Sequence, residues 1–296
     1  LFITKVNKSA TKLKNENKKT SYQLLSQLSL TNNEYNELTQ PTYDLLAKLL
    51  NPSKSNSDIY DELTMENKEA VLQYLSVFEE NEVGANLSSK LSTLLSYDYE
   101  RFAKEGFVRK NLAIQIEKTV KELASGSVFI EGSHFKTLAS EPLAFLYFSA
   151  TRELKANLGK GEFWCNSDEK QILSARYPIA MYSEIQVMNL VENNFYSHYC
   201  KHWTKELLVF NIKDITAQLM SGADFDTDVC YTTTNQTLIN AVVKPKNNIP
   251  FLPMINNSTK KVPYSLMNRE RENINAFGNL IGKIALLSTS VSNVAQ

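Results

Sequence analysis

The chain has 296 residues, which is enough for a sizeable core and for about two domains. Apolar residues make up 43% of it and charged residues 22%, a balance that excludes an intrinsically disordered chain. Its 32 basic and 32 acidic side chains cancel, so binding of nucleic acid must depend on local patches and not on net charge.

Three cysteines, Cys165, Cys200 and Cys230, form an odd set without a CxxC pair, which favours reduced thiols and a cytoplasmic setting. The N-terminus is basic but is not followed by the apolar segment that a secretory signal needs, so a secretory signal is not predicted there. The longest apolar run, residues 142–150, is shorter than the roughly 20 residues that span a bilayer, so no membrane partner is expected. A start at Leu1 and an end at Gln296, directly after a helical pattern, favour one segment of a longer protein.

Residues 1–125 are predicted to be helical. The segment 31–34, Thr-Asn-Asn-Glu, is a capping-box pattern at a helix start. Pro41 is predicted at the first position of a second helix, where a missing N–H costs nothing. Gly126 is predicted as the cap that ends the last helix of this region.

After Gly126 the pattern changes to short β-type runs with helices between them. Helices are predicted at residues 141–154 and 214–220, and again from Met267 onward. The predicted strands are residues 127–132, 185–191, 207–210, 229–233 and 239–243. Irregular strands with crossing helices indicate a compact barrel with insertions, and therefore an α+β fold.

Three aspartates, Asp224, Asp226 and Asp228, alternate with Phe225 and Thr227. In an extended or tightly turned backbone all three carboxylates can project to one side, with Phe225 on the other. Carboxylates so close together repel one another, and a hard divalent cation such as Mg²⁺ relieves the repulsion. The spacing therefore predicts a cation site, and Gly222 before it permits a bend of the backbone.

Other interpretations of the three aspartates stay open. An EF-hand that begins at Asp224 needs Gly at its sixth position and Glu at its twelfth, where the chain has Val229 and Asn235. A phosphatase-type DxD motif would end an apolar strand, whereas residues 214–220 have a helical pattern. A solvated acidic turn after a helix is the third possibility.

The segment 222–228, Gly-Ala-Asp-Phe-Asp-Thr-Asp, resembles the metal loop of two-barrel RNA polymerases. That family carries Ala-Asp-Phe-Asp-Gly-Asp in a double-psi β-barrel, and its single-chain members from phages and mobile elements often carry Gly-Ala-Asp-Phe-Asp-Ser-Asp. Residues 176–178, Arg-Tyr-Pro, are similar to the family's Arg-x-Pro at the start of the same barrel. Further similarity is found to the family's elements that flank the metal loop, at residues 128–132, 141–143, 211–220 and 281–296. The resemblance therefore covers about residues 126–296.

The resemblance implies three parts: a helical region of unknown role at residues 1–125, a double-psi β-barrel with helical insertions at 126–261, and a C-terminal helix at 262–296. Asp224, Asp226 and Asp228 would hold the catalytic Mg²⁺ that binds the RNA 3′-oxygen and the α-phosphate of the incoming nucleotide, while a second Mg²⁺ travels with the triphosphate. Arg176 would contact the nucleotide ribose or the primer end.

The function implied by the resemblance is transfer of nucleotides from NTPs to an RNA 3′ end on a nucleic-acid template, of the DNA-directed type. The partners would be the template, the RNA product and NTPs, in the cytoplasm of a bacterium or a phage-infected cell, or in a virion. The alternatives are a non-catalytic barrel module that binds metal or nucleic acid and, third, a DxD phosphohydrolase.

The chain departs from the family at three points. Thr227 replaces Gly or Ser, and because a β-branched residue resists positive φ, the turn is expected to be one that tolerates a side chain. Gly222 replaces the Asn that senses the ribose hydroxyl in the multisubunit enzymes, which leaves sugar selectivity open. The paired lysines of the partner barrel are not recognisable in residues 1–125, so a second barrel in the full-length chain or another subunit is an expected partner, and the segment is expected to be inactive alone.

Two further groups have ordinary explanations. His198, Cys200 and His202 could bind zinc only with an irregular backbone, and an aromatic-rich amphipathic stretch is the favoured interpretation. A set of basic residues that follows the barrel could line a nucleic-acid channel or be a solvated surface: Lys244, Lys246, Lys260, Lys261, Arg269 and Arg271.

Overall fold

A computed structural model describes most of the chain: residues 18–49, 67–77, 87–201, 206–243 and 261–276, together with 283–284, 286–288 and 290–291. The predicted features at Lys244, Lys246, Lys260 and His202 lie outside these described residues. No helix in the described part of the chain combines the length and the apolar character that crossing a bilayer takes.

The described N-terminal part is helical, as predicted, apart from a two-residue strand, β1 (Lys18–Lys19). Its helices are α1 (Tyr22–Gln27), α2 (Asn32–Leu49), α3 (Lys68–Val77), α4 (Leu87–Tyr97), α5 (Tyr99–Phe102) and α6 (Gly106–Ala124). Helices α2 to α6 share one apolar core, in which Val71, Leu75 and Leu91 are fully buried.

The capping box at the start of α2 is confirmed, since the Thr31 N–H donates to the Glu34 carboxylate at 2.7 Å and the Glu34 N–H donates to the Thr31 hydroxyl at 3.3 Å. The prediction that Pro41 opens a separate helix is wrong, because Pro41 lies inside α2. A buried stripe of Leu38, Thr42 and Leu46 continues across the proline at helical spacing. Packing of this stripe outweighs the hydrogen bond that the proline ring removes.

The end of α6 follows the prediction for Gly126, which has a φ of 85°. The Ser127 N–H donates to the Glu122 carbonyl at 2.9 Å, and the Gly126 N–H donates to the Leu123 carbonyl at 3.0 Å. These two bonds form a Schellman cap, which satisfies the last carbonyls of the helix and turns the chain into the barrel.

The remaining strands, apart from β2 (Phe129–Ile130), which pairs with β1, close into one barrel. They are β3 (Ser133–Ser140), β4 (Glu162–Cys165), β5 (Gln171–Ala175), β6 (Gln186–Leu190), β7 (Leu207–Phe210) and β8 (Val229–Thr233). Around the barrel the order is β3-β7-β4-β6-β5-β8, with β3/β7 and β4/β6 parallel and the other pairs antiparallel. The helices of this region are α7 (Pro142–Thr151), α8 (Asn194–Tyr199), α9 (Thr216–Leu219) and α10 (Gln236–Val243), followed by α11 (Leu266–Ala276).

The predicted α+β fold with a double-psi barrel is therefore confirmed, although three of the six barrel strands, β3, β4 and β5, escaped prediction. The strand predicted at residues 239–243 is wrong, because this segment belongs to α10. Asn235 caps the helix by accepting the Leu238 N–H at 3.1 Å, and the buried residues Leu238 and Ala241 lie three positions apart, at helical spacing. The cap and the burial outweigh the strand preference of Ile and Val.

The barrel shares a core with the first helices of the chain. Leu24 and Leu25 of α1 and Leu38 of α2 are buried in one cluster with Ile179 and Tyr231. The barrel interior is a separate cluster that includes Leu138, Phe210 and Cys230. Helix α1 therefore packs directly against the outside of the barrel.

A lysine is buried inside the barrel wall. Only 1% of the Lys136 side chain is exposed, and its Nζ lies 3.5 Å from the Glu169 carboxylate and 3.5 Å from the Cys165 sulfur. His134, also buried, lies 3.8 Å from the same carboxylate. A buried ammonium needs such a counter-charge, because desolvation of an unpaired charge costs several kcal/mol.

We expect the two partners of this pair to tolerate substitution unequally. Glu169→Gln should lower the free energy of unfolding by about 2–3 kcal/mol, since it removes the carboxylate that pairs with a buried ammonium, and Glu169 itself is partly solvated. Lys136→Met should change it by less than about 1 kcal/mol, because the methionine replaces a buried charge with an apolar side chain of similar volume. Urea denaturation of both variants measures the difference, and equal losses would contradict it.

Candidate metal centre

The three aspartates lie on a short connection, residues 221–228, which we call the aspartate loop. It runs from α9 to β8 at the end of the barrel where β8 begins. Met220 and Ala223 are buried in the barrel interior, and the Ala223 N–H donates to the Ala217 carbonyl at 2.9 Å. At the other end of the loop, the Asp228 carbonyl accepts the Leu138 N–H of β3 at 2.9 Å. The loop is thus fixed to the barrel at both ends.

The structure brings Asp224, Asp226 and Asp228 together. One carboxylate oxygen from each lies within 4.8 Å of the others, and among the residues that the structure describes this is the one cluster of three acidic, His or Cys side chains close enough to share an ion. Asp224 and Asp226 are exposed and Asp228 is half-buried. Three hard oxygen donors open to solvent match the preference of Mg²⁺, which keeps several of its waters.

Arg176 contacts this cluster through Asp228. Its Nε lies 2.7 Å from one carboxylate oxygen, and a terminal nitrogen donates to the other at 3.1 Å. The Asp224 N–H also donates to Asp228, at 3.0 Å. Burial alone would raise the pKa of Asp228, but these amide and guanidinium donors outweigh it and hold the pKa below its usual value. Asp228 is consequently the anionic anchor of the loop.

Asp226 is in the opposite electrostatic situation. Its pKa is raised, first by a hydrogen bond shared with the Asp224 carboxyl and then by the negative charge of Asp224. Its backbone N–H donates to Asp224 at 3.2 Å. Asp226 is therefore the carboxylate whose charge has the least compensation from the protein, and a cation between the three would supply it.

The backbone of the aspartate loop is strained. Ser221, Gly222 and Thr227 have φ values of 56°, 62° and 95°, a region that side-chain-bearing residues seldom occupy. The expectation that Thr227 would sit in a turn that tolerates its side chain is wrong. Hydrogen bonds and packing at both ends of the loop hold this conformation in place. Thr227, which is β-branched, therefore keeps a strained backbone conformation.

The surroundings of the loop bear on the rival interpretations. Phe225 is 43% exposed, and its ring meets Phe210 edge-on with the centroids 5.9 Å apart. The loop precedes β8, which pairs antiparallel with both β3 and β5. A phosphatase-type DxD motif would instead follow a strand of a parallel sheet.

Among the described residues, neither His198 nor Cys200 belongs to a cluster that could share an ion. His198 is exposed on α8 and contacts Tyr199, whereas Cys200 is buried beside Tyr196. Lys261, Arg269 and Arg271 are exposed. Two features near the site had no signal in the sequence: the positive φ of Ser221 and the hydrogen bonds that tie residues 176–180 to α1, more than 150 positions away.

Comparisons with known proteins show similarity to solved structures but to no family model or curated protein. Among solved structures, the chain is similar to the RNA-dependent RNA polymerase QDE-1 from Thielavia terrestris, with 15% sequence identity and a TM-score of 0.43. The match covers 93% of this chain and 31% of that polymerase, so the chain spans less than a third of its length.

Replacement of the strained threonine should stabilise the fold. We expect Thr227→Gly to raise the free energy of unfolding by about 1 kcal/mol, because relief of positive-φ strain exceeds the extra entropy that glycine gives the unfolded chain. Thr227→Ala is the control: it removes the β-branch but keeps a Cβ, so it should gain less. Thermal unfolding compares the two, and a glycine variant less stable than the alanine variant would refute the assignment of strain.

Proposed function

We propose that the chain is the catalytic-barrel segment of a nucleic-acid-templated RNA polymerase, which adds nucleotides from NTPs to an RNA 3′ end. The observation that carries this proposal is the convergence of Asp224, Asp226 and Asp228 at one end of a double-psi barrel, with Arg176 against them. Templated nucleotidyl transfer depends mainly on placing hard cations and positive charge around a triphosphate.

The three carboxylates are the residues that would hold Mg²⁺. Their oxygen donors fit a hard divalent ion, and their exposure leaves room for water and phosphate oxygens. Bound Mg²⁺ would lower the pKa of an attacking hydroxyl and neutralise charge on the leaving pyrophosphate. The role of the protein is to keep the three carboxylates close together, which it does by attaching the aspartate loop to the barrel at both ends.

Arg176 supplies the positive side chain of the proposed site. Its guanidinium lies against Asp228 and is only partly buried, so nucleotide oxygens can reach it. A planar guanidinium binds phosphate and ribose oxygens as well as carboxylates. We assign Arg176 to contact with the ribose of the incoming nucleotide or with the primer end.

The segment would act together with a second barrel that supplies lysines, either in the same full-length chain or in another subunit. In this proposal residues 126–261 are the catalytic barrel, residues 262–296 the following helix, and the template is DNA. Three buried free thiols suit the cytoplasm of a bacterium or a phage-infected cell.

Loss of the central carboxylate should abolish nucleotide incorporation. In the full-length protein, Asp226→Asn should reduce Mg²⁺-dependent incorporation of labelled ribonucleotides. Mutation of a residue that only supports a metal ligand typically reduces activity about 10–100-fold, and loss of a ligand itself should exceed that. The amide keeps the volume and removes the charge. Asp44→Ala, at an exposed aspartate of α2, is the matched control and should keep full activity.

Parallel reactions with DNA and RNA templates identify the template class. Unchanged incorporation by Asp226→Asn would overturn the assignment of the metal loop. Binding of Mn²⁺ or nucleic acid without incorporation on either template would favour the non-catalytic barrel module, and release of inorganic phosphate from a phosphomonoester would favour a hydrolase.

A further inference from the structure

The residues next to Arg176 form a second loop that contacts the aspartate loop. We call residues 176–180 the arginine loop. Besides the ion pair with Asp228, a terminal nitrogen of Arg176 lies 3.5 Å from the Ser221 carbonyl, and the Ser221 hydroxyl donates to the Pro178 carbonyl at 3.3 Å. One side of the arginine loop therefore faces the proposed metal centre.

The other side of the arginine loop is bonded to α1. The Ile179 N–H donates to the Gln23 side-chain oxygen at 3.1 Å, and the Ser21 N–H donates to the Tyr177 hydroxyl at 3.1 Å. The Gln27 amide donates to the Ala180 carbonyl at 3.5 Å. Three residues within positions 21–27 are thus hydrogen-bonded to a loop more than 150 positions away.

Apolar packing reinforces these hydrogen bonds. Leu24 and Leu25 of α1 are buried in the same cluster as Ile179 and Tyr231, and the Tyr177 ring lies 6.1 Å from that of Tyr231. Helix α1 has only six residues, too few to be stable in isolation. Its conformation and that of the arginine loop are accordingly fixed together.

We propose that α1 is a positioning element of the metal centre, with Gln23 as the positioning residue that holds the arginine loop so that Arg176 stays on Asp228. The inference rests on the proposed function, since it assigns α1 to that same site. It also gives a role to the beginning of the helical region.

The sign of the effect follows from the ion pair. The Arg176 guanidinium engages both oxygens of Asp228 and adds a positive charge, so it competes with a cation for that carboxylate. A loosened arginine loop should therefore tighten binding of a divalent cation. A role of Gln23 in general stability alone predicts no such gain.

The first test needs no metal. Hydrogen exchange of residues 176–180 in the full chain should become faster in Gln23→Met, which removes the acceptor of the Ile179 N–H, and should stay slow in Gln23→Glu, which keeps an oxygen acceptor. Gln40→Met, at an exposed glutamine of α2, is the matched control and should leave the exchange unchanged. Equal exchange in all variants would overturn the positioning role.

The second test is a Mn²⁺ titration followed by electron paramagnetic resonance. Arg176→Gln should tighten Mn²⁺ binding roughly two- to five-fold, the size expected for one partly exposed charge pair that solvent still screens. Gln23→Met should tighten it less, and should add nothing in the Arg176→Gln background because both changes act through the same side chain.

The two tests separate failure of this inference from failure of the proposed function. Weaker binding in Gln23→Met, or additive effects in the double variant, would refute the positioning role while the metal centre stands. No Mn²⁺ binding by the wild-type chain would refute the metal centre, and with it the link from α1 to the site, whereas hydrogen exchange would still decide whether Gln23 holds the arginine loop.

Discussion

Repulsion among three carboxylates within 4.8 Å of one another is the constraint around which this end of the barrel is organised. The protein offsets part of that repulsion with a guanidinium on Asp228 and with backbone amides of the loop. The compensation is uneven, because it lowers the pKa of Asp228 while that of Asp226 stays raised. An arrangement that anchors one carboxylate and leaves another undercompensated is suited to a site that accepts a cation from solution.

The closed barrel is what holds the carboxylates in place against this repulsion. The aspartate loop is bonded to β3 and seated in the barrel interior through Ala223, and its backbone takes positive φ at Ser221 and Thr227. Such strain persists only where the surrounding structure determines the conformation. On the far side of the arginine loop, α1 is hydrogen-bonded to that loop. Residues more than 150 positions apart in the sequence are therefore neighbours around the site.

The sequence predicted features that depend on local chemistry. The capping box at Thr31, the glycine cap at Gly126 and the strands at residues 207–210 and 229–233 follow from short patterns, and the structure has them. The spacing of the three aspartates predicted a one-sided carboxylate cluster, and their oxygens do converge. Patterns of this kind involve a few neighbouring residues, so no tertiary information is needed to find them.

The failures lie where tertiary packing decides. Pro41 lies inside a helix because a buried stripe continues past it, and residues 239–243 are helical because Asn235 caps them and the core receives Ile239. Strand β3 was missed because it carries Lys136, whose burial depends on Glu169 from a distant turn. The bond between Gln23 and Ile179 spans 156 positions and leaves no local pattern in the sequence.

The most direct test of the metal centre is crystallographic. Crystals of the chain soaked in MnCl₂ should show an anomalous-difference peak between Asp224, Asp226 and Asp228, about 2.0–2.3 Å from an oxygen of each. Crystals of Asp226→Asn, soaked identically, should show a weaker peak or none. Absence of a peak at this position in wild-type crystals at millimolar Mn²⁺, or an unchanged peak in the variant, would contradict the account.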